Sequence, residues 1–258
     1  MANAVARTAY RFSRRRRREI QARLPAQFVR EQREQIVRGT FHGFWNDVFT
    51  LASVDQSRTC ADVSGLEHLT NALARGRGAI LLENSLFGQR NFAKQVLHAR
   101  GVAIHQTHAL DHMGGFWTHG ETEVRARIVR PWLDRLERQF VAEIIYLPRD
   151  ESLAFTRRLM LVLQANQVLC VSGEGQLGQK HVVLSFLGRE RAFATGMISL
   201  AKLTGAPILP LSCWSDETGK TRLVIEPPLD LNTGMKAYAT LLETYVKRYP
   251  EHYRGWDL

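Results

Sequence analysis

The chain has 258 residues, 45% of them hydrophobic, and 35 Lys and Arg against 25 Asp and Glu leave a formal net charge of +10. This length suits one α/β domain, or one with a helical N-terminal extension, and the apolar content allows a sizeable core. No run of about 18 apolar residues offers a membrane span. The N-terminus lacks the basic, apolar and small-residue succession of a secretory signal. Cys60, Cys170 and Cys213 are odd in number and far apart, which fits neither a disulfide framework nor a metal spacing; a reducing cytoplasmic setting is expected, with a peripheral place on the inner face of the membrane as the variant of it.

The charge surplus predicts attraction to a polyanion: nucleic acid, an anionic membrane surface or an acidic acyl carrier protein. Its densest patch is Arg14, Arg15, Arg16, Arg17 and Arg18, which reads equally as a solvated helix face. No helix-turn-helix, RNP or zinc-finger pattern is present, so sequence-specific DNA reading is not expected.

In chain order, residues 1 to about 55 read as helices, broken at Leu24-Pro25. Phe28, Ile36, Val37, Phe41, Phe44, Trp45 and Phe49 recur at near-helical spacing, which predicts a helix packed on the main domain or one turned to a membrane. "SGLEHLTNALARGRG" follows as an amphipathic helix closing at Gly76 or Gly78. Strands and helices then alternate. "AILLEN" is a strand, "RNFAKQVLHARG" a helix, "VAIHQTH" a strand, Val124–Phe140 a helix, "AEIIYLP" a strand and "ESLAFTRRLMLVLQAN" a helix. "QVLCVSG" and "KHVVLSFLG" are strands joined through "EGQLGQ"; "ATGMISLAKLTGA" is a helix, "PILPLSCW" and "KTRLVIEPPL" are strands, and "MKAYATLLETYVKRYP" closes the chain as a helix. Such alternation predicts an α/β fold with a mostly parallel sheet flanked by helices. Residues 1–70 form an N-terminal helical segment packed on the core and 71–258 the α/β domain, together one structural unit.

The candidate chemistry gathers where "GAILLENSLFGQRN" turns from strand to helix, because open α/β sheets bind ligands at the carboxyl ends of their strands. Glu83 is a candidate general base if burial raises its pKa, or an ion-pair partner for an arginine. Ser85 is a candidate nucleophile, although "NSLFG" is not a G-x-S-x-G elbow. Asn84, Arg90 and Asn91 are candidate substrate-binding groups on the same turn. His105, His108, Asp111 and His112 form the densest titratable cluster. A strand sends His105 and His108 to opposite faces, whereas a helix brings His108 and His112 to one side. His105 or His108 is a candidate relocated base, or both are hydrogen-bonded loop residues. Their spacing matches no metal motif, and no metal is expected. Glu174 follows "VLCVSG" and lines the same cleft, and Lys180, Arg189 and Arg191 are available to an anion. Thr195-Gly196 opens a helix whose free N–H groups suit an anion, or Thr195 is an ordinary cap.

The order of these motifs resembles the lysophospholipid acyltransferase superfamily, and within it the lipid A biosynthesis (lauroyl/myristoyl) acyltransferases. "GLEHLTNALARGRGAILLENSLFG" resembles the family's helix, strand and site turn. "VLCVSGEGQLGQKHVVLSFLGRERAFATGMISLAKLTGAPILPLSCW" resembles its second block, with Glu174 at an acidic position, and "GKTRLVIEPPLDL" resembles the strand that follows. The resemblance implies a glycerolipid-acyltransferase-like fold. It also implies acyl transfer from a thioester, on a carrier protein or coenzyme A, to a hydroxyl or amine, with the donor as co-substrate and no bound cofactor. The family's signature is a histidine and an acid spaced Hxxxx(D/E), where the histidine takes the acceptor's proton. Here the histidine's place falls at Ser85 with Arg90 five residues on, or at Leu86 with Asn91 five residues on.

Sequence therefore predicts an acyltransferase-like protein with an atypical site. An amine acceptor is easier to reconcile with the lost pair, and an aminoacyl-tRNA donor accounts for the charge through phosphate neutralisation. The contrasting reading is a non-catalytic, degenerate acyltransferase fold acting as a binding or scaffold protein.

Overall fold

The computed structural model describes residues 2–25, 28–52, 62–109, 125–148, 153–174, 180–216 and 220–256. Asp111, His112 and Cys60 lie outside them. Three helices come first, α1 (Ala2–Phe12), α2 (Arg14–Arg23) and α3 (Arg30–Ala52), followed by strand β1 (Asp62–Ser64) and helix α4 (Leu66–Leu73). Next come β2 (Ala79–Glu83), α5 (Arg90–His98), β3 (Ile104–Ala109), a π-helical turn Arg125–Val129 running into α6 (Arg130–Glu137), and β4 (Glu143–Leu147). Then follow α7 (Leu153–Gln164), β5 (Val168–Ser172), β6 (His181–Phe186), β7 (Arg189–Ala194), α8 (Gly196–Thr204), β8 (Ile208–Ser215), β9 (Thr221–Ile225) and α9 (Met235–Arg248).

Seven strands form one sheet in the order β1-β9-β8-β2-β5-β3-β4. All its pairs are parallel except β8 with β9, so the α/β reading with a mostly parallel sheet holds. The central strand β2 reads Ala-Ile-Leu-Leu-Glu and every residue of it is buried. A strand covered by helices on both faces needs such a continuous apolar run. Alternation then sorts its side chains. Ile80 and Leu82 join α3, α7, α8 and α9 in one apolar cluster, while Ala79 and Leu81 join α4 and α5 in another. α9 shows how a helix supplies one side, burying Met235, Tyr238, Ala239, Leu242 and Val246 at helical spacing.

Ile20, Leu24, Ile36, Val37 and Phe41 enter the same cluster as Ile80 and Leu82, and Phe44 is buried as well. The Phe41 and Phe44 rings therefore face protein rather than a membrane. Two strands escaped the sequence reading. Asp62–Ser64 adds a short edge strand beside β9 within the stretch read as helical; three residues are too few to show a period. The segment "KHVVLSFLG" pairs not with the main sheet but with β7 in a separate hairpin. The hairpin's turn has Leu187 at φ 54° and Gly188 at φ 76°, the primed geometry that matches strand twist. β7 reads Arg-Glu-Arg-Ala-Phe-Ala with only Phe193 fully buried, which hides its alternation.

Gly88 sits in the left-handed region at φ +71°, and a β-carbon there would lie 1.8 Å from the carbonyl oxygen of Cys213. That carbonyl also accepts the Gln89 N–H at 2.7 Å, so the neighbour cannot move away freely. Gly88→Ala is expected to lower stability by at least about 2 kcal/mol, read as a fall in the urea midpoint.

Candidate active site

The turn after β2 is held from four directions. Glu174, just beyond β5, accepts the Ser85 N–H at 2.6 Å and the Ser85 hydroxyl at 2.9 Å through one oxygen, and the Leu86 N–H at 3.4 Å through the other. Ser172 donates to the Ser85 hydroxyl at 2.7 Å. From the C-terminal segment, Arg254 donates to the Ser85 carbonyl at 2.8 Å, and its backbone N–H meets the Leu86 carbonyl at 2.6 Å. From α3, Asp47 accepts the backbone N–H of Asn91 at 2.9 Å, and its carbonyl accepts the Asn91 amide at 3.1 Å. Asn84 is anchored below the turn, donating to Ser212 at 2.6 Å and accepting from Tyr238 at 2.6 Å. Of the two positions that the motif resemblance aligns with a histidine, Leu86 is packed in the apolar core, and only Ser85 turns its side chain to polar groups.

On the α5 face of the sheet lies a buried charge network. Gln106 donates to Glu83 at 2.8 Å and Arg90 approaches the same carboxylate at 3.3 Å. One turn along α5, Lys94 is ion-paired with Glu137 of α6. The other Glu137 oxygen lies 2.7 Å from Nε2 of His108, whose Nδ1 lies 3.5 Å from Arg90. Two carboxylates thus face two cations, with the imidazole between them. Burial pushes both acids up, but charge outweighs it. Arg90 and Lys94 hold Glu83 below the ordinary carboxylate range, and His108 and Lys94 hold Glu137 well below it. Glu174 goes the other way. Its burial outweighs the Ser85 hydroxyl and the charge of Arg191, and its carboxyl is raised.

The structure thus brings Glu83, Arg90 and His108 into one network, and Ser85 and Glu174 into a second cluster beside it. His105 points to the opposite face, as strand alternation requires; it meets Glu143 at 3.0 Å, and Arg158 of α7 holds that same carboxylate at 2.6 Å. Thr195 stands at the N-terminus of α8 without a side-chain cap, its hydroxyl donating to the Lys180 carbonyl at 3.1 Å, and Gly196 is exposed beside it. Arg191 bonds the Tyr253 hydroxyl, and Arg189 donates to the Arg23 carbonyl at 2.7 Å. Cys170 is a buried thiol pushed up by desolvation. Among the described residues no group of three His, Cys, Asp or Glu converges as a metal site requires. Sequence reasoning missed Glu137, Lys94, Asp47, Arg254 and Tyr238. Lys94 carried one signal, four residues after Arg90 on the helix face that must meet the sheet.

The model of the bacterial lipid A biosynthesis acyltransferase family matches residues 135–256. The chain resembles these acyltransferases, as its motifs suggested. It is 28% identical over 222 residues to the phosphatidylinositol mannoside acyltransferase of Mycobacterium tuberculosis (strain ATCC 25618 / H37Rv), covering 83% of this chain and 65% of that protein. It is 21% identical over 245 residues to the lipid A biosynthesis acyltransferase of Haemophilus influenzae, covering 88% of this chain and 69% of that one. Among solved structures, the 1-acyl-sn-glycerophosphate acyltransferase PlsC of Thermotoga maritima aligns with a TM-score of 0.37 and 19% identity, over 86% of this chain and 82% of its own. The chain thus spans about two thirds of the mycobacterial relative. The stretch matched to the lipid A acyltransferase model includes Glu137 and Glu174 and leaves the Glu83–Asn91 turn outside.

The charge network predicts a pH signature. Glu137→Gln leaves Lys94 without its anion and is expected to cost about 3–5 kcal/mol at neutral pH. Because the folded carboxyl titrates below its unfolded value of about 4.3, this stabilisation is complete above that value and is lost as pH falls towards the folded one. Urea midpoints of the wild type and the variant should therefore differ most at neutral pH and converge in acid.

Proposed function

We propose that this chain transfers an acyl group from an activated donor to a hydroxyl or amine, with His108 serving as the base that the turn itself lacks. The observation that carries the proposal is the 2.7 Å contact between His108 and Glu137, a histidine–carboxylate pair at the carboxyl end of β3 that shares Arg90 with the turn. In its neutral form the imidazole donates Nε2–H to Glu137 and turns Nδ1 towards Arg90 at 3.5 Å, so a substrate hydroxyl or amine must take the guanidinium's place to give up its proton there, while the carboxylate orients the ring and stabilises the imidazolium formed. The names of the relatives support the reaction class. Their substrates are lipids or glycolipids, so a lipid acceptor is the first to try. A thioester on coenzyme A or on an acyl carrier protein is the proposed donor, and an aminoacyl-tRNA is the variant favoured by the net charge of +10.

A second reading has its own observation. Three donors from Ser85 and Leu86 converge on Glu174, which is what a purely structural lock on the turn requires. A chain built so would bind acyl donors without turning them over. The run Arg14–Arg18 suits a polyanion under either reading. Arg14, Arg15 and Arg18 are exposed, while Arg17 lies 4.6 Å over the Tyr10 ring.

The two readings divide on one experiment. Purified protein is supplied with acyl-coenzyme A thioesters and a panel of hydroxyl and amine acceptors, and product is followed by mass spectrometry. The catalytic reading expects turnover that His108→Gln lowers at least about a hundredfold, with circular dichroism unchanged. Donor binding without turnover in the wild type selects the binding protein, and turnover unaffected in His108→Gln removes this histidine from the reaction.

A further inference from the structure

α6 has two chemically opposed faces. Inward, Asp134 bonds the Tyr146 hydroxyl and Glu137 is buried against Lys94 and His108. Glu137 is thereby buried, and Asp134, half-buried, is engaged by Tyr146. Outward stand Ile128 and Trp132, four residues apart and exposed at 64% and 49%, together with the exposed Pro131, Arg135 and Arg138. A large aliphatic and an indole one helical turn apart in water, flanked by exposed arginines, form an apolar patch with a cationic border, the composition that marks an interaction surface rather than a lone exposed side chain.

We propose that this outer face of α6, with the π-helical turn before it, docks on an anionic lipid surface. Each component has a role there. Guanidinium groups meet headgroup phosphates at the level of the interface. An indole is most favourable at that depth, apolar body inward and N–H towards the polar layer, and the neighbouring isoleucine adds buried apolar area below it. A nucleic acid surface would use the arginines and leave Ile128 in water; an acidic protein partner would need a matching apolar pocket. The lipid surface uses all of the exposed groups. The helix that bears this face also carries Glu137 on its other side, so docking would set His108 close beneath the lipid interface. The inference concerns binding and stands whether or not the chain transfers acyl groups.

The test is cosedimentation of the full chain with vesicles of phosphatidylcholine, with and without phosphatidylglycerol, at low and moderate salt. Binding is expected only with phosphatidylglycerol and should weaken with salt. Ile128→Ser combined with Trp132→Ser should lower vesicle affinity about tenfold or more, and Arg135→Glu combined with Arg138→Glu should abolish binding to the phosphatidylglycerol vesicles. These side chains are exposed, so thermal melts should match the wild type. Absence of vesicle binding by the wild type overturns the proposal. So does binding that survives both α6 variants but is lost when Arg14 to Arg18 are changed to Gln, which would place the contact on α2. Binding of tRNA or of an acyl carrier protein that the α6 variants abolish, with vesicles left unbound, reassigns the face. Acyl transfer to a water-soluble acceptor, measured in parallel, reports separately on the catalytic reading.

Discussion

A carboxylate at the end of the central strand, sealed from water, sets the terms for the rest of the site. Glu83 is 2% exposed, and an isolated buried charge of this kind is too costly to persist. Its neutralisation falls to Arg90, the first residue of α5, which fixes where that helix begins. The guanidinium and the ammonium of Lys94 then stand one turn apart on the helix face turned to the sheet. A second carboxylate is needed, and Glu137 supplies it from α6. The packing of β2, α5, β3 and α6 thus follows from charge balance as much as from apolar burial. Breaking such a set at one member strands its partner, whereas the intact set is close to neutral in net stability. What it provides is a unique arrangement.

The same physics yields opposite results at the neighbouring cluster. Glu174 is as deeply buried as Glu83, yet its partners are N–H and O–H groups of the turn rather than full cations at contact distance. Its carboxyl is therefore raised while those of Glu83 and Glu137 are lowered. Acids whose surroundings push their protonation apart, side by side at the carboxyl edge of a sheet, are the usual raw material of acid–base chemistry. On the proposed reading the ionised one orients His108, and the raised one shapes the turn that carries Ser85.

What sequence could convey was the periodic part. The buried run of β2, the helical spacing of α9 and the βα alternation each leave a pattern visible within about a dozen residues, and the parallel sheet follows from them. Strand parity even separated His105 from His108. What sequence could not convey was anything that depends on closure of the chain. Arg254 reaches Ser85 across 169 positions and Tyr238 reaches Asn84 across 154, and no local period encodes such partners. Glu137 was hidden in another way, since a glutamate in an arginine-rich helix reads as a surface charge. β7 was hidden because its charged residues obscure the alternation that its turn geometry restores.

The departure at the turn is itself constrained by this network. The familiar chemistry would require a histidine at Ser85 and an acid at Arg90, or a histidine at Leu86 and an acid at Asn91. Arg90 is the counter-ion of Glu83, and an acid in its place would face that carboxylate with no cation at contact distance. Asn91 lies against Asp47, so an acid there would set two carboxylates together. Leu86 packs in the apolar cluster, where an imidazole would lose its hydrogen bonds. Three of the four single steps towards a histidine–acid pair thus meet a buried like charge or an unsatisfied polar group; a histidine at Ser85 would meet the polar groups of Glu174 and Ser172 instead. The residues of the turn, and the carboxylates on α3 and α6 that meet them, form one coupled set.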